Sequence, residues 1–283
     1  GDTTGAMSVS NILNFFSPYS EMMFKVSLIE PPYIDREHAP VDEQINAILE
    51  RATRTSSQII FIYEVLVQGA GGMLIYKVPE FNEIMRKFKE AQAILIADEI
   101  FTGLWRTGKP LSSFYFSILP DIVCLSKGIT NGTLPIGITS FPLWIYELIT
   151  RSGMPFFHAH TYTANPLACA AATSTLKLLS SKETYRNVST LILRLNKFAE
   201  EISSRKDLRV RTAGTILAID YLNLKKSDSI KIKEWFISRG IYVRPLDNTL
   251  YIAPPYNIPD EDLEYTLNCI VEFTDKYINY QLN

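Results

Sequence analysis

Ala93-Ile94-Leu95-Ile96-Ala97-Asp98, an apolar run closed by an acid, has the length and texture of a strand buried on both faces. Polar and apolar residues do not alternate in it, so neither face is predicted to meet water. Ile122-Val123-Cys124-Leu125 repeats the pattern and runs into Ser126-Lys127-Gly128. Ile59-Ile60-Phe61-Ile62-Tyr63 repeats it upstream. Between the runs at 59–63 and 93–98 Pro79 opens a predicted helix with Phe81, Ile84 and Phe88 on one face. Buried strands separated by helices predict an α/β fold with a mainly parallel sheet flanked by helices.

Working outward, residues 41–56 are predicted as a helix facing inward through Ile45, Ile48 and Leu49. Residues 1–35, with Pro18, Pro31 and Pro32, read as loops, and Gln68 to Gly72 as a loop closing the first strand. A helix is predicted after Pro166 through Leu176 and Leu179. A longer one carries Tyr185, Val188, Ile192, Leu195, Ala199 and Ile202 at helical spacing. Then the texture changes: 208–222 and 241–253 read as strands, 227–239 and 260–280 as helices. The expected organisation is a large domain over 1–182 and a smaller C-terminal α+β lobe over 183–283.

The composition excludes several classes of function. A chain of 283 residues that is 47% hydrophobic can bury a sizeable core. Its net charge of -2, without a basic stripe, argues against nucleic acid or an acidic membrane as partner. No apolar run is long enough to span a bilayer. Three scattered cysteines, Cys124, Cys169 and Cys269, suggest neither a disulfide framework nor a zinc site and suit a reducing, cytoplasmic compartment. His158-x-His160 lacks the further ligands a metal needs. The opening Gly1-Asp2-Thr3-Thr4-Gly5, with no initiator Met, reads as cut from a longer chain.

Ligands of open parallel sheets bind beyond the carboxyl ends of the strands, where Asp98 and Lys127 are predicted to sit. A carboxylate there can keep a pyridine nitrogen protonated, and a lysine can form an imine with an aldehyde and shuttle a proton. Either residue alone reads more readily as a loop acid or a surface lysine. The pair at two strand ends shifts that balance, although spacing alone names no cofactor. Gly103-x-x-x-x-Gly108-Lys109 has most of a phosphate-binding loop, but Pro110 stands where Mg²⁺ needs a hydroxyl. Gly69-x-Gly71-Gly72 lacks the third glycine of a dinucleotide loop and reads as a tight turn that lets backbone pass close to something. Asn131-Gly132-Thr133 has the form of a glycosylation acceptor, which has no use in the cytoplasm.

Ala97-Asp98-Glu99-Ile100-Phe101-Thr102-Gly103-Leu104-Trp105-Arg106-Thr107-Gly108 resembles the signature of class III aminotransferases. So do Pro120 to Ile129, around Ser126-Lys127-Gly128, and the block His160-Thr161-Tyr162-Thr163-Ala164-Asn165-Pro166. The likeness runs over essentially the whole chain. It implies the fold type I of transferases dependent on pyridoxal 5'-phosphate (PLP), with small-molecule substrates. By it, Lys127 carries the Schiff base and Asp98 pairs with the pyridine nitrogen. Thr161 reaches the cofactor phosphate of a neighbouring subunit, which implies a homodimer with a shared active site. Arg244 binds a keto-acid carboxylate and Tyr251 lies nearby in the substrate site. Without the likeness these three would read as a structural threonine, a solvated arginine and a core tyrosine.

Gly1 to Ser8, Val67-Gln68-Gly69-Ala70-Gly71-Gly72-Met73, and Arg244-Pro245 with Tyr251-Ile252-Ala253-Pro254-Pro255-Tyr256 resemble the branch of the family that acts in biotin synthesis. The implied reaction is ping-pong transfer of an amino group from S-adenosylmethionine, or lysine in some relatives, to 8-amino-7-oxononanoate. The sequence departs from the family in Val65, where a proline is usual, and Ala164, where a glycine is. It also lacks the segment that in the family precedes Gly1 and supplies a Gly-Ser phosphate loop and an aromatic residue over the ring. Three readings stay open: the biotin-pathway enzyme, a class III enzyme of ω-amino acid or ornithine type, and a non-catalytic remnant of the fold.

Overall fold

The computed structural model describes residues 3–10, 16–37 and 40–279. The chain divides into two compact units that interleave along the sequence. The first takes Gly1–Thr102, Ser113–Lys127 and Leu134–Cys169; the second takes Gly103–Ser112, Gly128–Thr133 and Ala170–Asn283.

In the first unit the elements run α1 (Thr4–Ser8), α2 (Val41–Thr55), β1 (Ile60–Glu64), β2 (Val67–Gln68), β3 (Leu74–Ile75), α3 (Val78–Glu90), β4 (Ile94–Asp98), β5 (Ile122–Leu125), β6 (Ile138–Ser140) and α4 (Leu143–Thr150). Helix α5 (Pro166–Leu179) starts here and runs into the second unit. The main sheet has the order β1-β4-β5-β6; β1, β4 and β5 are parallel and β6 is antiparallel to β5. Parallel pairing of β1 with β4 needs a crossover, and α3 supplies it. Its apolar stripe of Phe81, Ile84, Met85 and Phe88 is buried. Phe88 stacks on Phe61 of β1 at 4.5 Å between ring centroids. Leu95 and Ala97 of β4 are completely buried. Ile94 and Ile96 beside them are only half-buried, Ile60 of β1 is exposed and β5 is half-buried throughout, so one face of the sheet is covered as expected and the other only in part.

In the second unit α6 (Lys182–Ile202) precedes the antiparallel sheet β7 (Leu208–Ala213), β8 (Ile216–Tyr221) and β9 (Thr249–Ile252), with α7 (Ser229–Ile237) between β8 and β9 and α8 (Asp260–Asn279) after them. Ser181 caps α6 by accepting from the Thr184 N–H at 3.1 Å. Leu217, Ile219 and Tyr221 on one face of β8 enter a core with Leu195, Phe198, Phe236 and Phe273. The alternate residue Asp220 is buried as well, and takes two hydrogen bonds from Arg211, at 2.7 and 2.6 Å, and one from Thr249 at 2.7 Å. Burial alone would raise its carboxyl; the Arg211 fork outweighs this and holds it below its ordinary 3.8.

Gly103–Ser112 is part of this second unit. Arg106 donates to the Thr215 hydroxyl and the Pro254 carbonyl, both at 2.9 Å, and the Tyr256 hydroxyl donates to the Leu104 carbonyl at 2.6 Å. Gly214 turns β7 into β8 at φ +60, and a β-carbon there would lie 2.2 Å from the Thr107 carbonyl carbon. Only glycine fits that position.

The sequence reading and the structure part in several places, among them the expected strand 208–222, which is the β7–β8 hairpin, and the short β2–β3 pair, which was not foreseen. Residues 4–8 form a single helical turn inside the expected loop, tied by the Phe24 N–H to the Ser8 hydroxyl at 2.7 Å. Strand β6 and helix α4 were not foreseen: three residues are too short to read, and α4 is apolar nearly all round, which leaves no period. The expected strand 241–253 is cut to Thr249–Ile252. Ahead of it Pro245 has no N–H to donate, Asp247 turns at φ +53, and Leu246 and Thr249 close a tight hairpin. Among the described residues no helix is long and apolar enough to cross a membrane.

Removing one partner of the Arg211–Asp220 pair leaves an uncompensated buried charge. Asp220→Ala is expected to cost roughly 3–5 kcal/mol in urea unfolding, and Arg211→Met with Asp220→Leu to recover most of it. Because the folded carboxyl is depressed, its contribution is complete above pH 3.8 and fades below it.

Candidate active site

In the parallel register of the first unit Glu64 stands opposite Asp98, and Asp98 opposite Cys124. Three strand ends therefore form one edge, the position at which open sheets bind ligands. Asp98 is half-buried, and its Oδ1 accepts from the Ile100 N–H at 2.9 Å, which fixes the carboxyl as the chain leaves β4. Glu99 points the other way. It is 1% exposed and accepts from the Ser113 N–H at 2.6 Å, the Ser113 hydroxyl at 2.7 Å and the Thr102 hydroxyl at 3.3 Å. Of two adjacent acids, one is consumed in holding the loop and the other faces the edge.

Lys127 opens a 3-10 turn over Lys127–Thr130 at the end of β5, with φ +45. A left-handed lysine costs about 1–2 kcal/mol, and such strain gathers at functional positions. The neighbouring Ser126 hydroxyl helps to hold it by donating to the Ile136 carbonyl at 2.7 Å. The Lys127 side chain is exposed. Its Nζ lies 5.2 Å from the centroid of the Phe101 ring, and it makes no hydrogen bond or ion pair among the described residues. A primary amine so placed can condense with an aldehyde.

The sequence reading gave no role to Glu64, which lies one residue beyond the apolar run that ends at Tyr63. It closes β1 as Asp98 closes β4, and that symmetry was its signal. Glu64 Oε2 accepts from the Gly69 N–H at 2.9 Å. Burial pushes its carboxyl up to about 7; the Gly69 bond and Lys127 pull it down, while Asp98 pushes it up. Glu64 thus feels both of the foreseen site residues. The loop behind it is braced by the Tyr33 hydroxyl, which donates to Gln68 Oε1 at 2.6 Å.

Thr161 is exposed in the turn before α5 and shares no hydrogen bond with Asp98, Lys127 or Glu64 among the described residues. Arg244 and Tyr251 belong to the second unit. Arg244 is exposed just after the buried Val243, and Tyr251 is half-buried on β9 opposite Ala218 of β8. Among the described residues no group of three His, Cys, Asp or Glu could hold a metal. The donor set of the first unit fits PLP: Asp98 offers an acid for the ring nitrogen and Lys127 an amine for the aldehyde.

A family model described as aminotransferase class-III matches residues 1–273. An adenosylmethionine-8-amino-7-oxononanoate aminotransferase of Synechococcus elongatus is 34% identical over 98% of this chain and 67% of its own length. The crystal structure of the enzyme of that name from Methanocaldococcus jannaschii superposes with a TM-score of 0.84 at 27% identity, over 96% of this chain and 65% of that one. An amine transaminase from an uncultivated Pseudomonas species, solved in its PLP-bound form, gives a TM-score of 0.82 at 25% identity, over 95% and 66%. The fold is that of PLP-dependent transaminases, fold type I. The chain spans about two thirds of the length of these relatives.

The raised Glu64 carboxyl has a measurable consequence. The folded state holds its proton more tightly than the unfolded chain does, so stability is lost as pH rises from the ordinary 4.5 through about 7. Urea midpoints across this range are expected to decline in the parent chain, and the decline to shrink in Glu64→Gln.

Proposed function

Because the chain belongs to the class III aminotransferases, a PLP-dependent family, we propose that it moves an amino group from S-adenosylmethionine to 8-amino-7-oxononanoate, giving the 7,8-diaminononanoate of biotin synthesis. The observation that supports PLP chemistry is the arrival of Asp98 and Lys127 at one sheet edge, where both act on the Glu64 carboxyl, while the choice of substrates rests on the likeness to relatives named for this reaction. PLP, when bound, supplies an electron sink for charge developing at the donor's α-carbon. Asp98 holds the proton on the ring nitrogen on which that sink depends. Lys127 would hold the cofactor through its aldehyde, and its Nζ, when free, would be the base that takes the proton from the donor's α-carbon and returns it to the cofactor.

The remaining assignments rest on the likeness in sequence. Arg244 binds the keto-acid carboxylate, for which a guanidinium fork is suited, and Tyr251 lines the same site. Thr161 reaches the cofactor phosphate of a second copy, so the working form is a homodimer. Leu143, Trp144, Leu148 and Ile149 of α4, with Met154 and Phe157 after it, are all exposed, as a surface awaiting a partner would be. Residues 183–283, which make up most of the second unit, serve as the small domain, a division drawn from the change in sequence texture. No disulfide joins the three cysteines, which suits the cytoplasm.

The test is to incubate the chain with PLP, fix the adduct with borohydride and map it by peptide mass spectrometry. A pyridoxyl group on Lys127, absent from Lys127→Ala, is expected. Asp98→Asn should retain the adduct and lose about 10²-fold or more in formation of 7,8-diaminononanoate. A chain that forms the adduct and, unreduced, accepts amino groups from other donors but not from S-adenosylmethionine would favour a class III enzyme of different specificity. A folded chain without the adduct would favour the remnant of the fold.

A further inference from the structure

Phe101 follows Asp98 by three residues, just past the carboxyl end of β4, and is half-buried. Lys127 Nζ stands over its ring, 5.2 Å from the ring centroid. Near the Cδ1–Cε1 edge of the ring is Gly69, where a β-carbon would come within 3.2 Å of Phe101 Cδ1 and 3.5 Å of Glu64 Oε2. That edge therefore packs close to bare backbone, and the backbone is itself fixed by the bond from the Gly69 N–H to Glu64. We propose that Phe101 is a positioning residue for Lys127: its π face is the seat on which the ammonium rests whenever the amine is not covalently engaged. This rests on the reading of Lys127 as the reacting amine.

The chemistry favours a ring over a carboxylate in that place. An ammonium paired to an acid is held by charge-assisted hydrogen bonds and is slow to give up the proton it must lose before it can attack a carbonyl. A ring face attracts the same cation through its quadrupole, without an acceptor atom, and biases it only about two- to five-fold at an exposed site. The amine is kept in place and released easily. Asp98 and Glu64 form no ion pair with it among the described residues; one is held by the Ile100 N–H and the other by the Gly69 N–H.

The test is competitive acylation of the chain with limiting acetic anhydride near neutral pH. The rate at Lys127 is read by peptide mass spectrometry as a ratio to Lys89, whose ammonium is held by Asp121; general loosening then cancels. Phe101→Leu keeps the apolar bulk and removes the π face, and is expected to raise the Lys127 ratio about two- to five-fold. Phe101→Tyr keeps the face and should match the parent. A Leu variant that labels like the parent, or Leu and Tyr variants that shift together, would overturn the proposal. The reagent needs no cofactor, so a failed PLP adduct at Lys127 would sink the proposed reaction while leaving this result to stand by itself.

Discussion

The parallel register of β1, β4 and β5 decides what this molecule can do. It sets Glu64 beside Asp98 and carries the chain from β5 into Lys127. Side chains alternate along a strand, so a slip of one residue would send Asp98 to the far face and bring Glu99 to the edge. The completely buried Leu95 and Ala97 forbid the slip. Exposing one leucine of that kind costs about 1.5–3 kcal/mol, and a slip would also break the three bonds that Glu99 accepts. The site is as firm as the core beneath it because the same residues specify both.

Two acid clusters in the chain show how similar parts come to differ. In the second unit Asp220 meets a guanidinium that matches it bond for bond; the charge is cancelled and the pair acts as a staple. In the first unit Glu64 feels both the Asp98 carboxylate and the exposed Lys127 ammonium, and burial pushes its carboxyl up to about 7. Groups left short of a counter-charge at a strand edge are poised to respond to a ligand, which is why perturbed acids mark sites more often than they mark scaffolds.

Much of this was legible in the residues. Apolar runs gave β1, β4 and β5, and helical spacing gave α2, α3, α6 and α8, because burial on one or both faces leaves a period in the sequence. Strand β6 and helix α4 left none, one being too short and the other apolar on every side. Asp98 and Lys127 could be picked out by their place at the ends of runs. Glu64 stood in the same place but just outside the run as read, and its raised carboxyl depends on neighbours from two other strands. The contact between Phe101 and Lys127 joins two loops and has no local signature. Thr161, Arg244 and Tyr251 were legible only through likeness, since a lone threonine, arginine or tyrosine looks the same in a site and outside one.

Gly103–Ser112 leaves the strand that bears Asp98 and finds its partners 109 to 152 positions further on, at Thr215, Pro254 and Tyr256. A ribosome delivers residues in order, and loops this long close late. While the middle of the chain is being made, β1, β4 and β5 can already be paired, yet the segment emerging from β4 has only its own bonds, such as Leu104 N–H to the Pro110 carbonyl, and none of its distant partners. It becomes ordered only when β7 to β9 and the Pro254-Pro255-Tyr256 stretch have emerged. This middle segment thus matures with the C-terminal part of the chain, and a product of interrupted synthesis would carry Asp98 on a strand whose exit lacks its distant partners.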